Sequence, residues 1–288
     1  MKVWANDPEA LGPLPPGVEL ADGPGPDVEF LVPRWDESHA LDELPALKVI
    51  QVLSAGVDWI IDRVPASVTL CSARGARDRA MGEWIAAAIL AEVKHTRPLA
   101  IAQGHREWRP TTLHDALGLR ILIVGFGSIG HAVREMLAPF RCEVTGVART
   151  ARDGVHGIDE LPALLGGFDV VVNLLPATEA THELFGAREL ALLRDDALYI
   201  NAGRGVTTDT GALVAELESK RIRAVLDVVE PEPLPADHPL WRAPNVMISP
   251  HCAGDTPAAD RAAWALAARQ LRRYVAGEPL ENVVRDGY

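Results

Sequence analysis

The sequence predicts an α/β protein in which a doubly wound parallel sheet is joined to a second, smaller α/β domain. Three observations lead there. Short apolar runs alternate with helical stretches through most of the 288 residues, the order of strands and helices expected of a parallel sheet. Several runs are continuous, Val170 to Val172 and Val225 to Leu226 among them, as strands covered by helices on both faces require. The run Ile121 to Val124 passes directly into Gly125, Gly127 and Gly130, a spacing that lets a backbone turn tightly between strand and helix.

After those glycines, Ile129, Val133, Met136, Leu137 and Phe140 share one face at helical spacing. The turn Gly125 to Gly130, with Ser128 and Ile129 in it, therefore opens onto a helix N-terminus. Free N–H groups and a partial positive charge there suit a phosphate, so the stretch reads as the dinucleotide cradle of a Rossmann domain.

At roughly 150 residues per domain the chain has room for two. It carries 28 basic and 40 acidic residues, and the net charge of -12 opposes general attraction to nucleic acid or anionic membrane. An anionic ligand must be held by a local site. The longest strongly apolar run, Trp84 to Ala91, is far short of the ~20 residues that cross a bilayer. The N-terminus MKVWANDPEA has no signal-like apolar core, which makes the cytoplasm the expected compartment. Cys71, Cys142 and Cys252 are widely spaced, so neither a disulfide framework nor a metal site is expected. Cys252 reads as a small core residue rather than a reactive thiol.

In order, Lys2 to Asn6 is an opening strand, and the Pro/Gly-rich stretch Leu11 to Pro26 reads as turns. Strands follow at Val28 to Val32, Lys48 to Leu53 and Val68 to Cys71, with a helix over Ser38 to Leu44. Leu53, Ser54, Ala55, Gly56 and Val57 end the second of these three strands; small residues there would let backbone N–H groups face a cleft, but spacing alone favours an ordinary tight turn. Met81, Trp84, Ile85, Ala88 and Ile89 mark an amphipathic helix over Ala80 to Val93, and helical pattern continues to Trp108. The main boundary falls near Ala76. Beyond the glycine turn, strands are expected at Glu143 to Val147, Phe168 to Leu175, Ala197 to Ala202, Arg223 to Val229 and Asn245 to Ser249, with helices at Asp159 to Leu165 and Thr210 to Arg221. A last helix has Thr256 as N-cap, Pro257 in its first turn and Gly277 past its end.

In a Rossmann domain the second strand ends at the adenosine ribose, where an Asp or Glu accepts hydrogen bonds from the hydroxyls. Here that strand ends in Ala148, Arg149 and Thr150, with Arg152 close behind and no carboxylate in place. A guanidinium and a hydroxyl suit a 2′-phosphate, which favours NADP(H) over NAD(H); the plain alternative is an exposed basic loop.

Three further segments each follow a strand: Asn201-Ala202-Gly203-Arg204-Gly205, Asp227 to Leu234, and Ser249-Pro250-His251-Cys252-Ala253-Gly254. With VLSAGVDWI, VGFGSIG, NLLPATEATHELF, LDVVEPEPLPADHPLW and GEPLENVV, they make the chain resemble the D-isomer-specific 2-hydroxyacid dehydrogenases over nearly its whole length. The resemblance implies a Rossmann cofactor domain over 77–263 and a smaller flavodoxin-like substrate domain over 1–76, completed by 264–288, flanking a cleft. It implies a catalytic triad of Arg204, Glu232 and His251, with Glu230 the lesser candidate for the acid. It implies a substrate carboxylate bound by the backbone of Leu53 to Val57, and a dinucleotide along Leu175, Pro176, Thr181, Ala202, Gly203, Asp227 and Gly254. A homodimer using the helix Ala80 to Val93 is implied as well. The Ala148-Arg149 pair is similar to that of NADP-dependent glyoxylate and hydroxypyruvate reductases. Glutamate in place of glutamine at 232 argues against formate dehydrogenase activity, and the lack of a further domain after Tyr288 argues against the larger phosphoglycerate dehydrogenases. The expected chemistry is reduction of a small 2-keto acid to the D-2-hydroxy acid, with NADPH preferred and NADH possible. The family also includes corepressors that keep the fold and the triad, so a dinucleotide-sensing binding protein is the alternative.

Overall fold

A computed structural model of the chain describes residues 1–34 and 41–285, excepting the side chain of Asp42. The chain forms two units, Met1–Ala80 with Asp255–Tyr288, and Met81–Gly254. Residues 77–80 and 255–263 thus lie with the first unit, not with the second as the expected boundaries had them. The cause is local: Arg77 pairs with Asp255 and Asp260, while Ala263 packs on Ala73.

The first unit holds a five-stranded parallel sheet of β1 (Lys2–Ala5), β2 (Glu19–Leu20), β3 (Val28–Val32), β4 (Val49–Gln51) and β5 (Thr69–Cys71), in the order β2-β1-β3-β4-β5. Strand β2 was not expected. Both of its side chains are exposed and only backbone pairing to Lys2 and Val3 defines it, so the apolar pattern carries no trace of it. The helix expected over Ser38 to Leu44 lies partly outside the described residues, and a 3-10 turn spans Leu41–Glu43. One face of the sheet packs Val3, Phe30 and Val32 on Trp264, Ala267 and Leu271 of the last helix, and the other packs Val28, Leu31 and Ile50 on Leu41, Leu47 and Ile60.

Helix α1 (Asp78–Val93) and helix α2 (Thr96–Gly104) are separated at His95, whose φ of 49° breaks the helical path, and α2 ends at Gly104, short of Trp108. Helix α1 buries Met81, Ile85, Ala88 and Ile89 against Ile121, Ile123 and Val133 of its own chain. Trp84, Leu90 and Ala91 of the same helix are only partly buried, and Ala87 is exposed. Ile101, Trp108, Leu113 and Leu117 are the large apolar side chains left exposed in the segment that follows.

The second unit contains β6 (Arg120–Val124), α3 (Ser128–Leu137), β7 (Glu143–Ala148), β8 (Val155–Gly157), α4 (Leu161–Leu164), β9 (Val170–Asn173), α5 (Ala187–Ala191), β10 (Leu198–Asn201), α6 (Thr210–Glu218), β11 (Arg223–Leu226) and β12 (Val246–Ile248). All seven strands are parallel, in the order β12-β11-β10-β9-β6-β7-β8. The chain begins in the middle at β6, winds outward to β8, then returns to β9 and winds the other way. This is the doubly wound Rossmann order, with its switch point between β6 and β9. Edge strand β8 was not expected either; it is three residues long and is defined by its pairing to β7. In β6, Leu122 and Val124 enter one core and Ile121 and Ile123 the other, which explains the unbroken apolar run.

One row of the sheet register places the site. Val147, Val124, Asn173, Asn201, Leu226 and Ile248 pair successively across six strands, and each candidate loop begins directly after one of them. Among the described residues no helix is long and apolar enough to cross a membrane.

The last helix, α7 (Pro257–Val275), returns to the first unit with Thr256 as N-cap, its hydroxyl accepting from Ala259 N–H at 3.2 Å. Thr256→Ala is expected to destabilise the first unit by about 1 kcal/mol, read as a lower urea midpoint at unchanged slope.

Candidate active site

The glycine turn is built by backbone constraint. Gly125 has φ of 94°, and a Cβ there would lie 2.6 Å from the carbonyl oxygen of Leu174, so both the conformation and the space demand glycine. The N–H groups of Gly125 and Phe126 donate to Val147 O at 2.9 Å, folding the turn over the end of β7. Phe126 is buried over Gly146, where any Cβ would meet its ring at 2.4 Å. Gly127 by contrast has nothing near the Cβ position and no side chain caps α3, which begins at Ser128 and continues through Ile129 and Gly130. An open approach to an uncapped helix end fits a pyrophosphate.

Arg149 and Thr150 are exposed directly past β7. Arg152, expected beside them at the 2′-phosphate, directs its guanidinium to the carbonyl of Phe126 and pairs its backbone with Val155. It ties the glycine turn to the β7–β8 connection.

On the other side of the switch point, Leu175 N–H donates to Asn173 Oδ1 at 3.0 Å, and Thr181 Oγ1 donates to Pro176 O at 2.6 Å. Ala202 is buried and Gly203 N–H donates to Asn201 Oδ1 at 3.1 Å. A Cβ on Gly203 would lie 2.6 Å from Leu175 O, so the loops after β9 and β10 touch backbone to backbone. Arg204 follows, half-buried, with Nη1 donating to Gly203 O at 2.8 Å.

His251 and Glu232 meet directly. Nδ1 of His251 and Oε2 of Glu232 are 2.9 Å apart, while Oε1 of the same carboxylate accepts from Val229 N–H at 3.0 Å. The imidazole is 48% exposed. The hydrogen bond from Glu232 raises the His251 pKa above the ordinary value of 6.5; burial and the charge of Arg204 pull the other way, and the carboxylate's charge reinforces the rise. Burial alone would lift the Glu232 pKa, but the bonds from His251 and Val229, with the charges of His251 and Arg204, hold it below the ordinary carboxylate value. Each group thus favours the ionised form of the other.

Asp227, 2% exposed, was expected along the cofactor, and both of its carboxylate oxygens are engaged by the histidine loop. Oδ1 accepts from Ser249 Oγ at 2.5 Å and Cys252 N–H at 2.9 Å, and Oδ2 accepts from Ala253 N–H at 3.0 Å. His251 N–H donates to Asp227 O at 2.8 Å, which holds the histidine at φ of 52°. Gly254 closes this loop and the second unit. Cys252, expected in the core, is exposed because Asp227 takes its N–H and the loop turns its side chain outward; the buried thiol is Cys71, whose pKa burial pushes up to about 12.

Leu53 to Val57 lie in the first unit after β4. Ser54 Oγ donates to Gly56 O at 2.7 Å and accepts from Trp59 Nε1 at 3.2 Å, Val57 is buried, and Arg77 Nε reaches Leu53 O at 3.4 Å.

Sequence reasoning passed over a group of buried polar residues beneath the Arg204 loop: Asn173, Tyr199, Asn201, Thr207 and Thr208. The available signal was an asparagine ending each of two otherwise apolar strands.

The model of the D-isomer specific 2-hydroxyacid dehydrogenase NAD binding domain matches residues 86–253. A glyoxylate/hydroxypyruvate reductase A from Citrobacter koseri is 30% identical over 276 residues, covering 89% of this chain and 86% of that protein. Among solved structures, a D-isomer specific 2-hydroxyacid dehydrogenase from Xanthobacter autotrophicus, in complex with NADPH and MES, is 32% identical with a TM-score of 0.87 and full coverage of both chains. The NADPH-dependent glyoxylate/hydroxypyruvate reductase of Sinorhizobium meliloti, in complex with NADP and sulfate, is 29% identical with a TM-score of 0.89, covering 100% of this chain and 99% of that one. With the glycine turn and the sheet order already described, these matches establish that the chain belongs to the D-isomer specific 2-hydroxyacid dehydrogenase family.

Proposed function

We propose that the protein reduces small 2-keto acids, glyoxylate or hydroxypyruvate being the best matches, to D-2-hydroxy acids with NADPH as the preferred reductant. The observation that carries this reading is the His251–Glu232 pair at 2.9 Å with the Arg204 cation acting on both. The relatives named for glyoxylate and hydroxypyruvate support the substrate class.

The chain's own groups divide the work. Gly125, Gly127 and the start of α3 hold the pyrophosphate, and Arg149 with Thr150 receives the 2′-phosphate. Arg204 pairs with the substrate carboxylate and polarises the ketone, a task its fork of donors suits. When bound, the nicotinamide supplies a hydride to the carbonyl carbon. His251, protonated and oriented by Glu232, gives its Nε2 proton to the oxygen as the C=O π bond breaks, so hydride and proton together complete the two-electron reduction. Glu232 remains ionised throughout. In the reverse direction neutral His251 takes the hydroxyl proton.

A panel of 2-keto acids assayed with NADPH and NADH tests the reading; turnover of none of them, with dinucleotide binding intact, overturns it in favour of a binding protein. In that assay His251→Ala is expected to lower kcat by roughly 10²–10⁴-fold, with the NADPH dissociation constant moving less than about threefold. Arg149→Asp is expected to raise KM for NADPH by about tenfold or more through loss of charge-assisted hydrogen bonds, leaving NADH little affected. An unchanged cofactor ratio places the phosphate elsewhere. Reduction needs His251 charged, so its rate is full below the raised histidine pKa and falls as pH climbs through it. Removing the carboxylate with Glu232→Gln lowers that pKa, and the falling limb of the kcat profile should move to lower pH.

A further inference from the structure

Asn173 and Asn201 stand directly opposite each other in the register of β9 and β10. Their side chains do the same two things. Each carbonyl oxygen accepts the backbone N–H two residues on, Leu175 N–H at 3.0 Å and Gly203 N–H at 3.1 Å. Each amide nitrogen then has two protons to donate. Asn173 Nδ2 reaches Tyr199 Oη at 2.9 Å and Thr207 Oγ1 at 2.8 Å, and Asn201 Nδ2 reaches Thr208 Oγ1 and the carbonyl oxygen of Arg204, both at 3.1 Å. Two links complete the circuit. Tyr199 Oη and Thr208 Oγ1 are 2.6 Å apart, and Thr207 Oγ1 donates to Arg204 O at 2.6 Å.

The result is a closed ring of side-chain hydrogen bonds that passes through one main-chain atom, the carbonyl of Arg204. Asn173, Tyr199 and Thr207 are fully buried, Asn201 is 1% exposed and Thr208 5%. Buried polar groups left unpaired are costly, so a ring in which each amide proton and each amide oxygen has a partner admits few alternative arrangements. Thr207 N–H also reaches Arg204 O, at 3.2 Å, which keeps that peptide in place from a second direction. Burial raises the Tyr199 pKa, so the phenol stays neutral through the physiological range.

We propose that Tyr199, Thr207 and Asn201 are positioning residues for the reaction, acting through the ring on the peptide of Arg204 and so on where its guanidinium meets the keto acid. This rests on the assignment of Arg204 to the substrate carboxylate. None of the three touches a reactant. Their effect should therefore fall on the keto acid and spare the dinucleotide.

The test compares Thr207→Val, which keeps the shape but loses the hydroxyl, with Thr207→Ser, which keeps the hydroxyl. Tyr199→Phe opens the ring at its far side. Three quantities are measured: KM and kcat for the keto acid turned over best by the wild type, the NADPH dissociation constant, and the affinity of the NADPH-loaded protein for oxamate, a non-reducible analogue carrying the same carboxylate. Thr207→Val and Tyr199→Phe are expected to raise KM and weaken oxamate by roughly tenfold, the size of effect that follows loss of one buried hydrogen-bond partner. NADPH affinity should stay within about threefold and Thr207→Ser within about threefold of wild type on every measure, well inside the effect of a lost partner. Oxamate affinity unchanged in both ring-opening variants overturns the proposal. So does a parallel loss of NADPH and oxamate binding, or failure of both variants to fold, since either marks a general support of the unit. A wild type that reduces no keto acid yet binds oxamate refutes the reductase reading alone, and the oxamate series still decides the ring.

Discussion

The carboxylate of Asp227 is the interaction on which the reactive end of the site depends. It is buried at the end of β11, where an unpaired charge would be prohibitively expensive, and it is satisfied entirely by the loop that carries His251. That loop runs through a left-handed conformation at the histidine, which costs a non-glycine residue about 1–2 kcal/mol. Two backbone N–H groups and a serine hydroxyl on one carboxylate offset that cost. The exchange is what places a half-exposed imidazole, with Nδ1 against Glu232, at the carboxyl end of a sheet strand.

The rest of the site hangs on the same row of the sheet. On one side of the switch point, β6 and β7 lead into the glycine turn and the exposed Arg149 and Thr150; on the other, β10 to β12 lead into the loops that carry Arg204, Glu232 and His251. The two halves use opposite means. Gly125 and Gly203 serve by having no side chain, allowing loops to approach to distances that a Cβ would forbid. Asn173, Asn201 and Asp227 serve by side chains that stand in for missing backbone partners. Both means fix the strand ends by contacts at hydrogen-bond or van der Waals distance.

What could be read in the sequence was whatever a local pattern records. Continuous apolar runs announced the core strands because burial on both faces leaves no polar alternation. Thr256 and Pro257 announced the last helix because capping is decided within four residues. Strands β2 and β8 escaped because edge strands this short are made by main-chain pairing, to which their side chains contribute little. The partnership of Arg152 with Phe126, and that of Tyr199 with Asn173 and Thr208, escaped for another reason. They join residues that only the closing of the sheet brings together, and nothing in the spacing of Arg152 distinguishes a guanidinium turned toward a carbonyl from one turned toward solvent. Motif order supplied the grouping of Arg204, Glu232 and His251, and the bond at 2.9 Å between the last two supplies its geometry.

The second unit is one unbroken stretch of chain, Met81–Gly254, which in sequence lies between the two segments of the first. On the ribosome, Val3, Phe30 and Val32 emerge long before Trp264, Ala267 and Leu271, which cover them in the finished protein. The second unit has all of its strands in hand by Ile248 and can close while the first still shows a bare apolar sheet face. The core of the first unit is therefore incomplete until α7 has been made.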